Sequence, residues 1–178
     1  HKMQDIMEED RLKDKKFGST RRGIGPVYAD KYMKKAVRMG DLFAPDKLPE
    51  KVADLTEWKN LTVRGYGHEP VKAEDILAWL HEFGDPIKPC ITDVSDYLYD
   101  AAAAGENIMF EAQLGALRDI EFGIYPYTSS SCTLAGYAPI GAGIPGLKLD
   151  KTIGIMKAYS SCVGEGPFTV EMFGDEAE

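Results

Sequence analysis

The sequence is poor in the residues that hold metals or form cross-links. Its three cysteines, Cys90, Cys132 and Cys162, are odd in number and widely spaced. That argues against a disulfide framework and a cysteine-type zinc site, and makes a reducing cytoplasm the expected location. His68 and His81 have no ligand partner at metal-binding spacing and read as surface residues, so no metal site is expected. Positive charge is in the minority: Lys+Arg is 21 and Asp+Glu is 29, a net charge of −8. A general duplex binder needs a basic face, so nucleic acid is not an expected partner, although a local phosphate site stays open. No apolar run approaches the roughly 18–20 residues of a membrane span, and no signal peptide opens the chain. No Gly-x-x-x-x-Gly-Lys-Ser/Thr loop occurs, so a triphosphate cradle of that type is not expected here. The chain starts at His1 without an initiator Met and ends at Glu178 just after an alternating apolar run, and so reads as an excerpt of a longer protein.

What is present is ordinary globular material: 178 residues, 44% hydrophobic and 28% charged, enough for one or two domains with a core. Residues 1–16 are dominated by charge and read as a solvated, frayed helix. Residues 17–26, FGSTRRGIGP, are a small, basic, glycine-rich loop. From Val27 to Met39, Ala29, Met33, Ala36 and Val37 recur at helical spacing, with Lys31, Lys34, Lys35 and Arg38 as a basic stripe and Gly40 as a stop. A second helix is expected over 46–59 (Val52, Leu55, Trp58), then a loop over 60–70 broken by Gly65 and Gly67. Glu74 and Asp75 open a third, with Ile76, Leu77, Leu80 and Phe83 on one face and Gly84 at its end; Pro86 and Pro89 forbid continuation. Asp93 can cap a fourth, with Val94, Leu98, Ala101 and Ala102 inside and Gly105 after it.

The texture changes near Asn107. Residues 108–110, 152–158 and 168–173 read as buried strands, residues 113–119 as one or two helical turns, and 123–148 as a long run rich in small residues. Strands after helices, with glycine-rich connections, point to α/β architecture. The expected divisions are a charged helix and phosphate loop over 1–26, a helical subdomain over 27–105, and a sheet portion over 106–178.

Several patterns could carry chemistry. Gly18–Pro26 combines glycines, hydroxyls (Ser19, Thr20) and guanidinium (Arg21, Arg22) ahead of a helix start, the parts of a phosphate site. A tight turn with two solvated arginines would look the same. The basic stripe is either a wet face or a phosphate or partner contact. Thr128-Ser-Ser-Ser-Cys-Thr133 can cradle phosphate oxygens or simply turn the chain. Gly141-Ala-Gly-Ile-Pro-Gly146 spells a dinucleotide fingerprint, but lacks the strand before and the helix after that the motif requires. Cys132 and Cys162 carry no local mark of a nucleophile.

Taken together, these segments resemble adenylosuccinate synthetase. The similar stretches are Gly18–Pro26 with Tyr28, Asp30 and Lys31; Gly40-Asp-Leu42; Met109-Phe-Glu111; Leu117 with Asp119-Ile120; Gly123 with Tyr125-Pro126; Ser130-Ser131; and Lys157-Ala-Tyr159 through Val163-Gly164 and Gly166-Pro-Phe168. The resemblance implies a helical insert followed by part of a mainly parallel sheet. It implies an enzyme, a ligase of AMP biosynthesis that joins IMP and L-aspartate using GTP and Mg²⁺, and works as a homodimer in which one subunit reaches the IMP phosphate held by the other. Thr20 and Ser129 match phosphate-contacting threonines, Lys34 stands where the family has the arginine donated across the dimer, and Val163 matches a valine lining the nucleotide region. Ser19, Arg22, Gly23 and Lys31 belong to the same phosphate loop and helix. Leu114 sits where a glutamine helps hold the 6-phosphoryl group, with Gln113 one residue away. Arg21 stands where glycine is common, Cys132 replaces the usual Asn and Cys162 the usual Arg. The family's catalytic Asp and His are not matched, so no catalytic residue is expected in this chain, which should be inactive alone, with most ligands for GTP and Mg²⁺ elsewhere. The departures leave two alternatives: a related synthetase acting on another purine nucleotide, or a non-catalytic nucleotide-binding or dimerisation module.

Overall fold

The computed structural model describes residues 1–161, 164–168 and 170–176. The chain forms two compact units, one of residues 1–8 and 21–93, the other of residues 9–20 and 94–178. Cys162 and Val163 lie outside the described residues.

The first unit is helical. Helix α1 (Lys2–Leu12) crosses from one unit's residues into the other's, and a 3-10 turn follows over Lys13–Lys15. It is not the solvated end that its charge suggests. In the first unit Asp5 and Met7 are buried, and in the second Glu9 is. Helix α2 (Ile24–Tyr32) is shorter than the periodicity through Met39 implies. The reason is local. The Lys35 N–H donates to the Asp30 carbonyl (2.9 Å) and that of Lys34 to the Lys31 carbonyl (3.1 Å), while Lys34 adopts a left-handed φ of 61°. This paired closure ends a helix, and it usually has glycine where Lys34 stands. Lys34, Lys35 and Arg38 are therefore not a helical stripe.

Helix α3 (Leu48–Gly65) runs six residues past the expected loop boundary. Leu48, Val52, Leu55, Thr56, Asn60 and Val63 make one buried stripe along it. Asn60 turns inward: its Nδ2 donates to the Val71 carbonyl and its Oδ1 accepts from the Val71 N–H, both at 2.8 Å. That clamp satisfies a passing backbone segment and lets the helix continue where glycine content alone suggested a break. Helix α4 (Ala73–Gly84) packs Ile76, Leu77 and Leu80 against Leu42, Leu48 and Val52. Gly84 lies against the Leu42 methyls, and Pro86 and Pro89 fall in a 3-10 turn over Asp85–Cys90. Trp79 and Phe83 pair on the exposed side of α4 (centroids 5.4 Å apart), so Phe83 is not a core residue.

A buried ion cluster completes this unit. Asp30, 1% exposed, meets Lys59 Nζ at 2.5 Å and His1 Nε2 at 2.6 Å, and accepts from Trp58 Nε1 at 3.4 Å. Lys59 also donates to Gln4 Oε1 at 2.8 Å.

The second unit holds helix α5 (Val94–Ala103), on which Leu98, Ala101 and Ala102 are half-buried but Val94 is exposed. A 3-10 turn over Ala116–Arg118 stands where helical turns are expected, and the short helix α6 (Ala138–Gly141) follows. No strand occurs among the described residues. The segments 108–110, 152–158 and 168–173 have strand composition but no paired neighbour there, and Met109, Ile155 and Met156 are 89%, 95% and 89% exposed. Apolar β-branched composition only prepares a strand; the ladder requires a second backbone. No helix is long and apolar enough to cross a membrane among the described residues.

Candidate functional site

The hydroxyl run 128–133 owes its shape to the segment just before it. The Ser129 N–H donates to the Arg118 carbonyl (2.8 Å), and the Ile120 N–H donates to the Ser131 carbonyl (3.2 Å). The Arg118 guanidinium donates to the Tyr127 carbonyl. Two residues on, the Thr133 N–H donates to Asp119 Oδ2 at 2.7 Å. The loop is thus laid along residues 118–120 at alternate positions. Ser129 Oγ and Ser131 Oγ lie 2.9 Å apart, both half-buried. The Thr133 hydroxyl donates to the Gly115 carbonyl at 2.7 Å, which ties the 113–115 segment to the end of the same run.

A second segment reaches this loop within the unit. The Phe17 ring stands edge-on to Tyr127, centroids 6.2 Å apart. Gly18 has φ 72°, and a Cβ there would come within 2.6 Å of Gly164 Cα, so only glycine fits. The Glu165 N–H donates to the Phe17 carbonyl at 3.2 Å. Ser19, half-buried, and Thr20, exposed, follow directly. Segments 17–18, 127–131 and 164–166 therefore converge, and the stretches carrying Thr20 and Ser129 leave from one shared contact.

The remaining candidates stand elsewhere. Gln113 and Leu114 are exposed, and Leu114 has a left-handed φ of 79°. Arg22, Gly23, Lys31 and Lys34 belong to the first unit. There the Gly23 N–H at the start of α2 donates to Asp5 Oδ2 at 2.8 Å, so a carboxylate of the chain already takes up that amide. Lys31 Nζ lies over the rings of Tyr28 and Tyr32, at 5.9 and 5.7 Å. Lys34 is exposed.

Electrostatics separate organising groups from reactive ones. The Asp119 carboxyl is held below the ordinary carboxylate range, first by the Thr133 N–H and then by those of Glu121 and Phe122, against the opposing effect of burial. Cys132 is pushed up by burial and then by the charges of Asp119 and Glu121, the environment of an inert thiol. Cys90 and Cys132 are free thiols. Gly141–Gly146 has α6 leading into it, with no strand ahead of it among the described residues. His68 and His81 are exposed, the latter with Nδ1 2.9 Å from Asp85. Among the described residues no group of three or more His, Cys, Asp or Glu could hold a metal ion.

Sequence reasoning assigned Asp119 no role. Its signal was legible: an aspartate whose side chain takes the N–H two residues on, here Glu121 at 2.9 Å, is a common turn-former.

Comparison with known proteins gives this geometry a family. The model of the adenylosuccinate synthetase family matches residues 1–178. The chain is 42% identical over 173 residues to the adenylosuccinate synthetase of Ligilactobacillus salivarius, covering 97% of this chain and 40% of that protein. It is 45% identical over 161 residues to the enzyme of Neisseria meningitidis serogroup C, covering 90% and 37%. The solved structure of fully ligated adenylosuccinate synthetase from Plasmodium falciparum superimposes with a TM-score of 0.81 at 31% identity, over 94% of this chain and 39% of that one. The chain thus spans about 40% of the length of these relatives. With sequence likeness along its whole length and a common fold, the chain belongs to the adenylosuccinate synthetase family.

Proposed function

We propose that this chain is the central, IMP-phosphate-binding portion of an adenylosuccinate synthetase, which joins IMP and L-aspartate using GTP and Mg²⁺ in the cytoplasm. The observation that carries the reading is the convergence in the second unit. Phe17 and Gly18, just ahead of Thr20, pack where Tyr127, just ahead of Ser129, also lies. Two hydroxyls leaving one contact, beside a loop with its amides already ordered, suit the oxygens of a phosphate monoester. Gln113 and Leu114 lie next to the Gly115 carbonyl that anchors this loop, the place for the purine end of the nucleotide. Val163, outside the described residues, keeps the nucleotide-contacting role that the family resemblance implies for it.

In the first unit, Lys34 supports the dimer part of the proposal. It holds a left-handed conformation that costs an L side chain roughly 1–2 kcal/mol. Such strain is retained where a side chain has work that glycine cannot do. Reaching the nucleotide of a partner subunit is that work, with Arg22, Gly23 and Lys31 of the same unit shaping the approach, while Ser19 serves the phosphate loop of the second unit.

Titrating IMP into the chain, with inosine as the control, at two salt concentrations tests the reading. IMP should bind, inosine should not, and salt should weaken the binding, because the phosphate is charged. Equal binding of inosine, or no IMP binding by a chain that melts cooperatively, overturns it. The chain alone should form no adenylosuccinate from IMP, aspartate, GTP and Mg²⁺; detectable product overturns that part.

A further inference from the structure

The side chain that decides how the hydroxyl loop is presented is not one of the hydroxyls. Asp119 is 1% exposed, and both of its oxygens are engaged. Oδ1 accepts from the N–H groups of Glu121 (2.9 Å) and Phe122 (3.1 Å), which folds the turn that follows it. Oδ2 accepts from the Thr133 N–H at 2.7 Å and faces the Thr133 hydroxyl at 3.5 Å, which fixes the far end of the loop. On either side, the Arg118 carbonyl takes Ser129 and the Ile120 N–H takes the Ser131 carbonyl. One carboxylate therefore clamps its own turn with one oxygen and the loop with the other, and its neighbours set the register between.

We propose that Asp119 is the positioning residue of the phosphate site: its two-oxygen clamp holds residues 129–133 so that the Ser129 and Ser131 hydroxyls face a phosphate monoester. This rests on the phosphate-binding reading above. A carboxylate is an unfavourable direct neighbour for phosphate. Its enclosure by backbone N–H groups, which point their dipoles at it, is what lets a negative group stand behind such a site. The clamp also needs a carboxylate in particular. An amide offers one accepting oxygen, so Asp119→Asn must abandon either the turn or Thr133 and aim an N–H₂ at a backbone N–H.

The test compares the wild-type chain with Asp119→Asn, Thr133→Ala and Ser129→Ala by two readouts. One is amide hydrogen exchange, at residues 129–133 and in α3 and α4. The other is titration with IMP and with inorganic phosphate. Asp119→Asn should lower protection of residues 129–133 and affinity for IMP by about tenfold or more each, the scale of lost charge-assisted hydrogen bonds, with α3 and α4 unchanged. Thr133→Ala keeps the backbone bond to Asp119 and should lower both by a smaller, matching factor. Ser129→Ala should lower affinity while leaving protection of the loop near wild type, because it removes a contact and not the clamp. Wild-type protection and affinity in Asp119→Asn overturn the proposal, as does lost protection with unchanged affinity. If Asp119→Asn fails to fold, Thr133→Ala decides: lowered protection with lowered affinity supports the clamp, and wild-type values overturn it. A wild-type chain that binds neither IMP nor phosphate fails the phosphate reading, and the role of Asp119 in phosphate presentation falls with it.

Discussion

Of the seven buried hydrophobic side chains among the described residues, six lie in the first unit and one, Ile144, in the second. The first unit is built as small helical proteins are, with a leucine and valine seam between α3 and α4 and a buried ion cluster on Asp30. The second is built from backbone hydrogen bonds around one carboxylate, with Tyr97, Tyr99, Phe122, Ile153 and Ile155 exposed. The difference teaches where the function can sit. Apolar packing is non-directional and tolerant, and makes a scaffold. Hydrogen bonds at fixed distances orient hydroxyls, and make a site.

The contrast can be broken from either side. Both tryptophans, Trp58 and Trp79, belong to the first unit, so their fluorescence reports that unit alone. The largest effect is expected from Asp30→Ala, which leaves Lys59 in a nearly buried site with only Gln4. Breaking such a pair costs about 3–5 kcal/mol, seen as a lower denaturation midpoint by tryptophan fluorescence. A loss under 1 kcal/mol would mean the cluster contributes little. Leu48→Ala, at 3% exposure, should cost about 2–5 kcal/mol in the same assay and leave amide protection of residues 129–133 unaltered. Matching losses in both places would show that the two units do not respond separately. Asn60→Ala orphans the Val71 backbone and should cost about 1–3 kcal/mol, with exchange at Val71 accelerating first.

Smaller effects sharpen the comparison. Arg21 and Lys34 hold left-handed φ values of 56° and 61°. Lys34→Gly should stabilise the chain by roughly 1 kcal/mol and weaken nucleotide binding in the assembled enzyme. A chain destabilised by this change would show that the Lys34 side chain makes compensating contacts. Acid acts on the other unit. Because the Asp119 carboxyl is held below its unfolded value, its contribution is complete above about pH 4 and is lost as pH falls further, through its depressed value. The protection of the Thr133 amide, its exchange rate relative to that of an unstructured chain at the same pH, should fall only at the acid end between about pH 6 and pH 3; a fall beginning above about pH 5 would contradict the depressed value.

Much of the first unit was legible in the sequence. The apolar period on α4, its glycine stop and the two prolines after it are local signals, and local signals place helices. The errors came where a distant partner decided. Asn60 extends α3 by binding Val71, which no period along the helix can show. The acids of α1 look solvated until Gly23 and Phe17 offer their N–H groups to Asp5 and Glu9. Lys34 ends α2 in a conformation that composition assigns to glycine. The three strand-like segments differ, since a strand's existence depends on another backbone and no pairing is seen among the described residues. The hydroxyl loop was visible as a run of residue types. The aspartate that shapes it stands ten residues ahead of Ser129 and enters the sequence reading only as part of a family-like stretch, with no role assigned.

The exposed tract 151–160 has a colloidal consequence. Every residue in it faces solvent, and Thr152-Ile-Gly-Ile-Met156 is an apolar, uncharged five-residue window. Windows of this kind pair edge to edge between molecules and seed aggregates. At neutral pH a net charge of −8 keeps copies of the chain apart. Near its isoelectric point of about 5.0 that repulsion vanishes. The shelf life of the isolated chain is therefore governed by how far its buffer lies from that pH, before any question of unfolding arises.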